Sequence, residues 1–389
     1  MGIYSDYLGK KMTFEQLTAE RKKQLKIISA LRENRDIIVY ASDISNRLNA
    51  PISIDYSDIL IFQDQLSNLK GKAIDVILET PGGSAESVED IVRLIRDRYN
   101  HVGIIIPGTA KSAGTIFAMA GDEILMGTAS SLGPIDAQII SPTKRYSADA
   151  FLEGLQKIKE EVQAVGKLNP AYIPILQNIS PGEIQHCENA QNFSKKLVTQ
   201  WLVQYKFKFW EKHSSTGNPV LEEEKKERAQ QIADQLCKHS DWLTHGRSIK
   251  ISDLEKMKLQ IVDYSKVEKL NEAITRYYTL LRMTLESTNM YKIIETPDTQ
   301  VQRFSQPNVP QPGAPDSHNV DGVVVDMECQ KCKTKSKIFA KFKVEAKVPA
   351  GAMPFPKSGI FACGQCHHQM NVLGLKLQIE AQTGKKILP

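Results

Sequence analysis

Two short segments carry residues whose types could do acyl-transfer chemistry. In Thr80-Pro81-Gly82-Gly83-Ser84, a proline and two glycines let the backbone turn sharply and leave amide hydrogens pointing outward. In Pro107-Gly108-Thr109-Ala110-Lys111-Ser112-Ala113-Gly114, Ser112 starts a run of small residues that reads as a helix. A hydroxyl there lies in the field of the helix's positive end, with the amide of Ala113 beside it. With the amide of Gly82 or Gly83 across the gap, two donors converge on one oxygen. Such donors contribute about 10²–10³ in rate each when they hold an oxyanion. The bland alternative is a serine that merely caps a helix in a tight packing site.

A second constellation is made of sulfur. Cys187 and Cys237 stand alone, whereas Cys329-x2-Cys332 and Cys363-x2-Cys366 form two knuckles 30 residues apart. Two such pairs complete a tetrahedron around Zn²⁺ with no open position, so the chemistry is structural rather than catalytic. A redox dithiol is the competing reading. From Cys329 onward the chain holds 11 lysines, no arginine and 2 glutamates, +9 against +5 for the whole chain. The tail is therefore a basic module on a mildly acidic body. It could grip a partner protein or a nucleic-acid backbone, and a solvated basic face is at least as good a reading.

The elements that must position these residues read as alternating strands and helices. Residues 14–34 have helical apolar spacing, IIVY at 37–40 reads as a buried strand and 56–69 as a helix. AIDVILE (73–79), HVGIIIP (101–107) and EILMG (123–127) read as strands. Between them come a helix capped by Ser84, with Val88, Ile91, Val92 and Ile95 on one face, and the helix SAGTIFAMAG (112–121). This alternation predicts an α/β fold with parallel pairing and right-handed crossovers, and both chemical segments fall at strand C-terminal ends, where open α/β sheets place their chemistry. Residues 150–290 read as mostly helical, and the Pro-rich stretch 295–321 as a linker. The expected domains are 1–294, the linker 295–321, and a small β-rich zinc ribbon at 322–389, with GVVVDM, IFAKFKVEAKV and LGLKLQI as its β-type runs. The chain is 41% hydrophobic and 24% charged, which excludes wholesale disorder. No uncharged apolar run approaches the about 18 residues that span a bilayer, and the N-terminus lacks a secretory apolar core, so a cytoplasmic protein with no membrane contact is expected.

The run TPGG followed by AKSAGTIFAMAGDEILMGTASSLGPID resembles the Clp-type and signal-peptide-peptidase class of serine peptidases, and is most similar to the branch called the serine dehydrogenase proteinase family, over residues 70–265. The resemblance implies a Clp/crotonase-like parallel-sheet core and a peptide or protein substrate. It also implies assembly into homo-oligomers. Within it Ser112 attacks the carbonyl, and Gly82, Gly83 and Ala113 supply the oxyanion amides. Clp-type peptidases carry a histidine base where this chain has Asp136. Two solutions stay open. One is a reordered triad of Ser112, Asp136 and His245, as in the serine dehydrogenase proteinase branch. His318 lies in the linker and His367 and His368 beside a cysteine knuckle, which leaves His101, His186, His213, His239 and His245; of these, His245 sits in the segment that resembles the close of the peptidase domain. The other is a Ser–Lys dyad with Lys195 or Lys196 as base; Lys111 adjoins the serine but points away. Two rival functions remain: a non-catalytic oligomeric adaptor whose basic ribbon binds protein or nucleic acid, and an acyl-CoA enzyme of the same fold.

Overall fold

The computed structural model describes residues 2–140, 145–213, 216–305, 321–383 and 385–388. They fall into two compact units, one ending at Ser305 and one beginning at Asp321. In the first unit, β1 (Asp36–Ser42), β2 (Ala73–Glu79), β3 (His101–Ile106), β4 (Glu123–Met126) and β5 (Val262–Asp263) run parallel. An antiparallel hairpin, β6 (Met290–Glu295) and β7 (Gln300–Phe304), closes one side, giving the order β7-β6-β1-β2-β3-β4-β5.

The strands are β-branched and apolar on both faces because both faces are covered. Ile38, Tyr40, Ile74, Val76, Leu78, Ile104 and Ile106 point into one core. That core is roofed by the helices Ile59–Ser67, Ala85–Arg96, Ala113–Ala118, Pro181–Trp201 and Glu222–Cys237. Ile37, Val39, Ala41, Ile77, Ile105 and Leu125 point into the other, against the helices Phe14–Leu31 and Glu268–Ser287. Helix starts follow their sequence signals. Thr13 and Gln16 form a capping box, and Ser84 Oγ accepts the Ser87 amide hydrogen.

Three expectations need correction. The supposed linker 295–321 begins too early: Glu295 ends β6, and Gln300–Phe304 is the edge strand β7. The polar sequence TPDTQVQRF hid it because an edge strand buries little of its surface. The rest of that linker, 306–320, lies outside the described residues. LGLKLQI is not a strand but part of the helix Leu373–Thr383. The run 56–69 opens with a 3₁₀ turn, Tyr56–Asp58, before its helix.

The second unit is a small sheet of Gly322–Glu328 paired antiparallel with Lys335–Lys341, to which Ala352–Pro354 adds in parallel. A hairpin of Ile360–Ala362 and Gln369–Asn371 follows. Its core is thin: Ile338, Ala340, Phe355, Phe361, Met370 and Val372, with Cys329 and Cys363 buried among them. Among the described residues no helix is long and apolar enough to cross a membrane.

Candidate active site and cysteine cluster

The end of β2 and the loop after β3 are stitched together. Thr80 N donates to Thr109 O at 2.9 Å, and Lys111 N to Thr80 O at 3.0 Å. Glu79, buried at the end of β2, accepts from Thr109 N at 2.7 Å and from the Tyr278 hydroxyl at 2.9 Å. Burial raises the Glu79 carboxyl to about 7, against the pull of those two donors. The glycine turn is held from its far side. Ile54 N donates to Gly82 O, and Ser84 N to Ile54 O. Gly82 and Gly83 take φ of +112° and +150°, which side-chain-bearing residues rarely adopt.

These ties bring the turn against Ser112. A methyl added at Gly82 would lie 2.7 Å from Ser112 Cβ, 2.8 Å from Lys111 O and 3.3 Å from Ala113 N. Ser112 itself has φ 51° and ψ −119°. A serine there is strained by about 1–3 kcal/mol, and a strained strand-to-helix turn is the device by which nucleophile elbows expose a hydroxyl. Its side chain does not cap the helix it precedes, so the bland alternative is not what forms. Among the described residues Ser112 Oγ has no hydrogen-bond partner, and neither Gly83 N nor Ala113 N donates to a protein acceptor. Gly82 N differs, because it donates to Thr80 Oγ1 at 3.1 Å. Of the two glycine amides, Gly83 is therefore the one left free.

Asp136 is fully buried. Its Oδ1 accepts from His245 Nδ1 at 2.7 Å, and its Oδ2 from His239 Nδ1 at 2.9 Å and from Gln138 Nε2 at 3.0 Å. Burial works to raise the Asp136 carboxyl, but His245, then His239 and Ser147, outweigh it and hold it below the ordinary carboxylate range. His239 was not singled out by sequence reasoning. Its signal is weak: it lies six residues before His245, directly after the charged helix, and nothing in the sequence says that Asp136 reaches both.

The Ser112 loop and the histidine loop are physically linked. Lys111 Nζ donates to Leu132 O at 2.9 Å, Arg247 O at 2.9 Å and Ser248 Oγ at 3.0 Å. Lys111 thus points away from the serine and spans to the segment just after His245. Burial, with the charge of Lys250, lowers Lys111 to about 8. Thr115 Oγ1 lies 3.0 Å from Ala110 O and 2.9 Å from Gly133 O, donating its one hydrogen to one of them, and accepts from Gly133 N at 2.9 Å, so the short helix also grips the strand leading to Asp136.

The lysine alternative is placed differently. Lys195 pairs with Asp234 at 2.8 Å. Burial disfavours its charge, but that partner outweighs burial and the net shift is upward, opposite to what a general base needs. Lys196 is exposed. Of the other histidines, His101 lies at the N-terminal end of β3, His186 is exposed and His213 faces Glu224 at 3.2 Å.

In the second unit Cys329, Cys332, Cys363 and Cys366 place their sulfurs within 4.8 Å of one another. Cys329 and Cys366 are 3.6 Å apart, Cys332 and Cys363 3.5 Å. A disulfide needs about 2.05 Å, whereas the edge of a tetrahedron with metal–sulfur bonds of about 2.3 Å is about 3.8 Å. The cluster can hold a metal ion. In the first unit Cys187 and Cys237 are buried free thiols.

Among curated proteins the chain is 37% identical over 89 residues to one uncharacterised protein of Methanocaldococcus jannaschii, and 32% over 88 residues to another. Each match covers 23% of this chain, and the chain spans only 29% of the length of each relative. Two solved structures of a 1510-N membrane-bound stomatin-specific protease are also similar. One is a serine-to-alanine mutant, aligned over 56% of this chain and 79% of its own. The other is a lysine-to-alanine mutant in complex with a substrate peptide, aligned over 66% and 89%. Both align at 16% identity and a TM-score of 0.32. Residues 6–181, a little under half of the chain, match the family model described as ClpP-like SDH-type serine proteinase, and that span contains the glycine turn, Ser112 and Asp136 but ends before His239 and His245.

Proposed function

We propose that this protein is a serine peptidase in which Ser112 forms an acyl-enzyme with a peptide carbonyl. Ser112 Oγ attacks the carbonyl carbon, and its proton passes to Nε2 of His245. Asp136 Oδ1 fixes the Nδ1–H tautomer, so Nε2 faces outward as an acceptor, and the ionised carboxylate stabilises the imidazolium. The carbonyl oxygen, now an oxyanion, takes the amide hydrogens of Gly83 and Ala113. The imidazolium returns the proton to the leaving amine, the C–N bond breaks, and water repeats the sequence on the acyl ester. Gly82 serves as the pivot that lets the turn approach. Lys195 and Lys196 take no part, and Lys111 ties the two loops together.

The observation that carries this reading is a strained Ser112 whose hydroxyl makes no cap, with the undonated amide of Ala113 beside it and the glycine turn, whose Gly83 amide is also undonated, packed against it through Gly82. The experiment is labelling by a fluorophosphonate probe. The expected result is one adduct, at Ser112, abolished in Ser112→Ala. Intact protein with no adduct favours the adaptor reading, and thioester turnover that survives Ser112→Ala favours the acyl-CoA reading.

In the second unit the four cysteines act as structural ligands of Zn²⁺. When bound, the ion supplies cross-linking between the two knuckles, which a core of about a dozen apolar side chains needs. The lysine-bearing strand Lys335–Lys341 leaves Lys335 and Lys337 exposed, so this unit is the surface offered to an acidic partner.

A further inference from the structure

The carboxylate of Asp136 is shared. Two imidazoles reach it through the same ring atom, His245 Nδ1 to Oδ1 at 2.7 Å and His239 Nδ1 to Oδ2 at 2.9 Å, while the carboxylate itself is fully buried. A serine hydrolase needs one such contact. The second is built with care. His239 N donates to Asp149 Oδ2 at 2.7 Å, and Asp149 sits in the first turn of the helix Ala148–Val165. The turn that carries His239 ends at Leu243, whose amide returns to His239 O at 2.8 Å and whose φ of 64° reverses the chain toward His245. The ring is thus fixed from its backbone and from its Nδ1 while its Nε2 makes no hydrogen bond among the described residues.

We propose that His239 is a positioning residue of the Ser112 site, acting through Asp136. This rests on the peptidase reading above. His239 occupies Oδ2, so the carboxylate cannot rotate away and Oδ1 stays on His245.

Two variants test this role in the full-length protein by the rate of fluorophosphonate labelling at Ser112, with thermal unfolding as a check on folding. His239→Ala loses the contact, and its rate falls about tenfold, a usual cost for removing an orienting partner. His239→Asn keeps an N–H donor near the position of Nδ1, and its rate returns to within about threefold of wild type. A residue that only stabilises the fold would lower the rate of both variants in proportion to lost stability, with no rescue by asparagine, and that result overturns the positioning role.

The failures are distinguishable. Wild type that never labels overturns the peptidase reading and this proposal with it. Labelling abolished by Ser112→Ala but unchanged in rate in both His239 variants overturns this proposal alone. Labelling that survives His245→Ala and is lost in His239→Ala and His239→Asn exchanges the two histidines, which overturns the positioning role given to His239.

Discussion

Gly82→Ala tests the geometry on which the Ser112 site depends with a single methyl group. The new Cβ would sit 2.7 Å from Ser112 Cβ and 2.8 Å from Lys111 O, at least about 0.6 Å inside the 3.4 Å at which ordinary contact begins. Neither neighbour is a flexible side-chain tip. Lys111 O already accepts from Gly114 N at 2.8 Å, and Ser112 is pinned between Lys111 and the helix that follows. Gly82 also has φ +112°, where any side chain is strained by about 1–3 kcal/mol. The turn and the serine must therefore move apart by several tenths of an ångström to an ångström. Misplacement of a reacting group by about 1 Å costs about 10²-fold in rate. The expected outcome is a fluorophosphonate labelling rate lowered about 10²-fold, with Tm lowered by about 2–4 °C for each kcal/mol lost. Gly246→Ala is the control. It adjoins His245, yet its nearest atom is Thr244 Oγ1 at 3.8 Å, and it should label like wild type. Gly82→Ala that labels at the wild-type rate with unchanged Tm would refute the reasoning, because the turn would then not abut the serine.

Further expectations follow from the same contacts. Asp136→Asn should lower labelling at Ser112 by about 10⁴-fold, since an amide can leave His245 in the wrong tautomer; a loss below tenfold in a folded variant would show that Asp136 does not orient the base. Glu79 is held at about 7 in the folded protein against an ordinary value of 4.5. Between those values the folded state binds the extra proton, so this group's contribution to stability falls as pH rises from 4.5 through 7. Urea unfolding at pH 5 and pH 8 should show wild type losing on the order of 2–3 kcal/mol relative to Glu79→Gln over that interval; parallel curves would contradict it. For the ribbon, metal analysis of the full-length protein should give one equivalent of zinc, lost in Cys363→Ser, and chelation should abolish the far-UV signal of the small sheet without changing labelling at Ser112.

The sheet was legible because its strands are buried on both sides. AIDVILE and HVGIII cannot alternate when both faces meet a core, and a short, continuous apolar run between helical patterns has few other uses. The same logic explains the miss at 300–304. An edge strand paired on one side has no reason to be apolar, and Gln300, Gln302 and Arg303 read as linker beside the prolines that follow. The helix Leu373–Thr383 failed for another reason: its alternating leucines, LGLKL, mimic a strand period over the few residues available.

At the site, the glycine turn and Ser112 were legible because their chemistry is local. Backbone amides are fixed by a handful of adjacent residues, and proline, glycine and serine announce that backbone in one dimension. The histidines were not legible in this way, since a side chain that acts through a contact 109 positions away in sequence leaves no periodic trace. Asp136 shows the difference. In sequence it is one carboxylate after Pro134 and Ile135, equally suited to a turn. In the fold, Ile135 N is tied to Leu236 O at 2.9 Å, and Leu132 and Ile249 exchange both backbone hydrogen bonds at 3.0 Å. Those ties bring the end of the charged helix and the 244–250 loop to the same strand, so that both His239 and His245 fall within reach of one buried oxygen pair. The sharing follows from where two loops are anchored, and Lys111, bonded at once to Leu132 O and Arg247 O, anchors the serine to the same place.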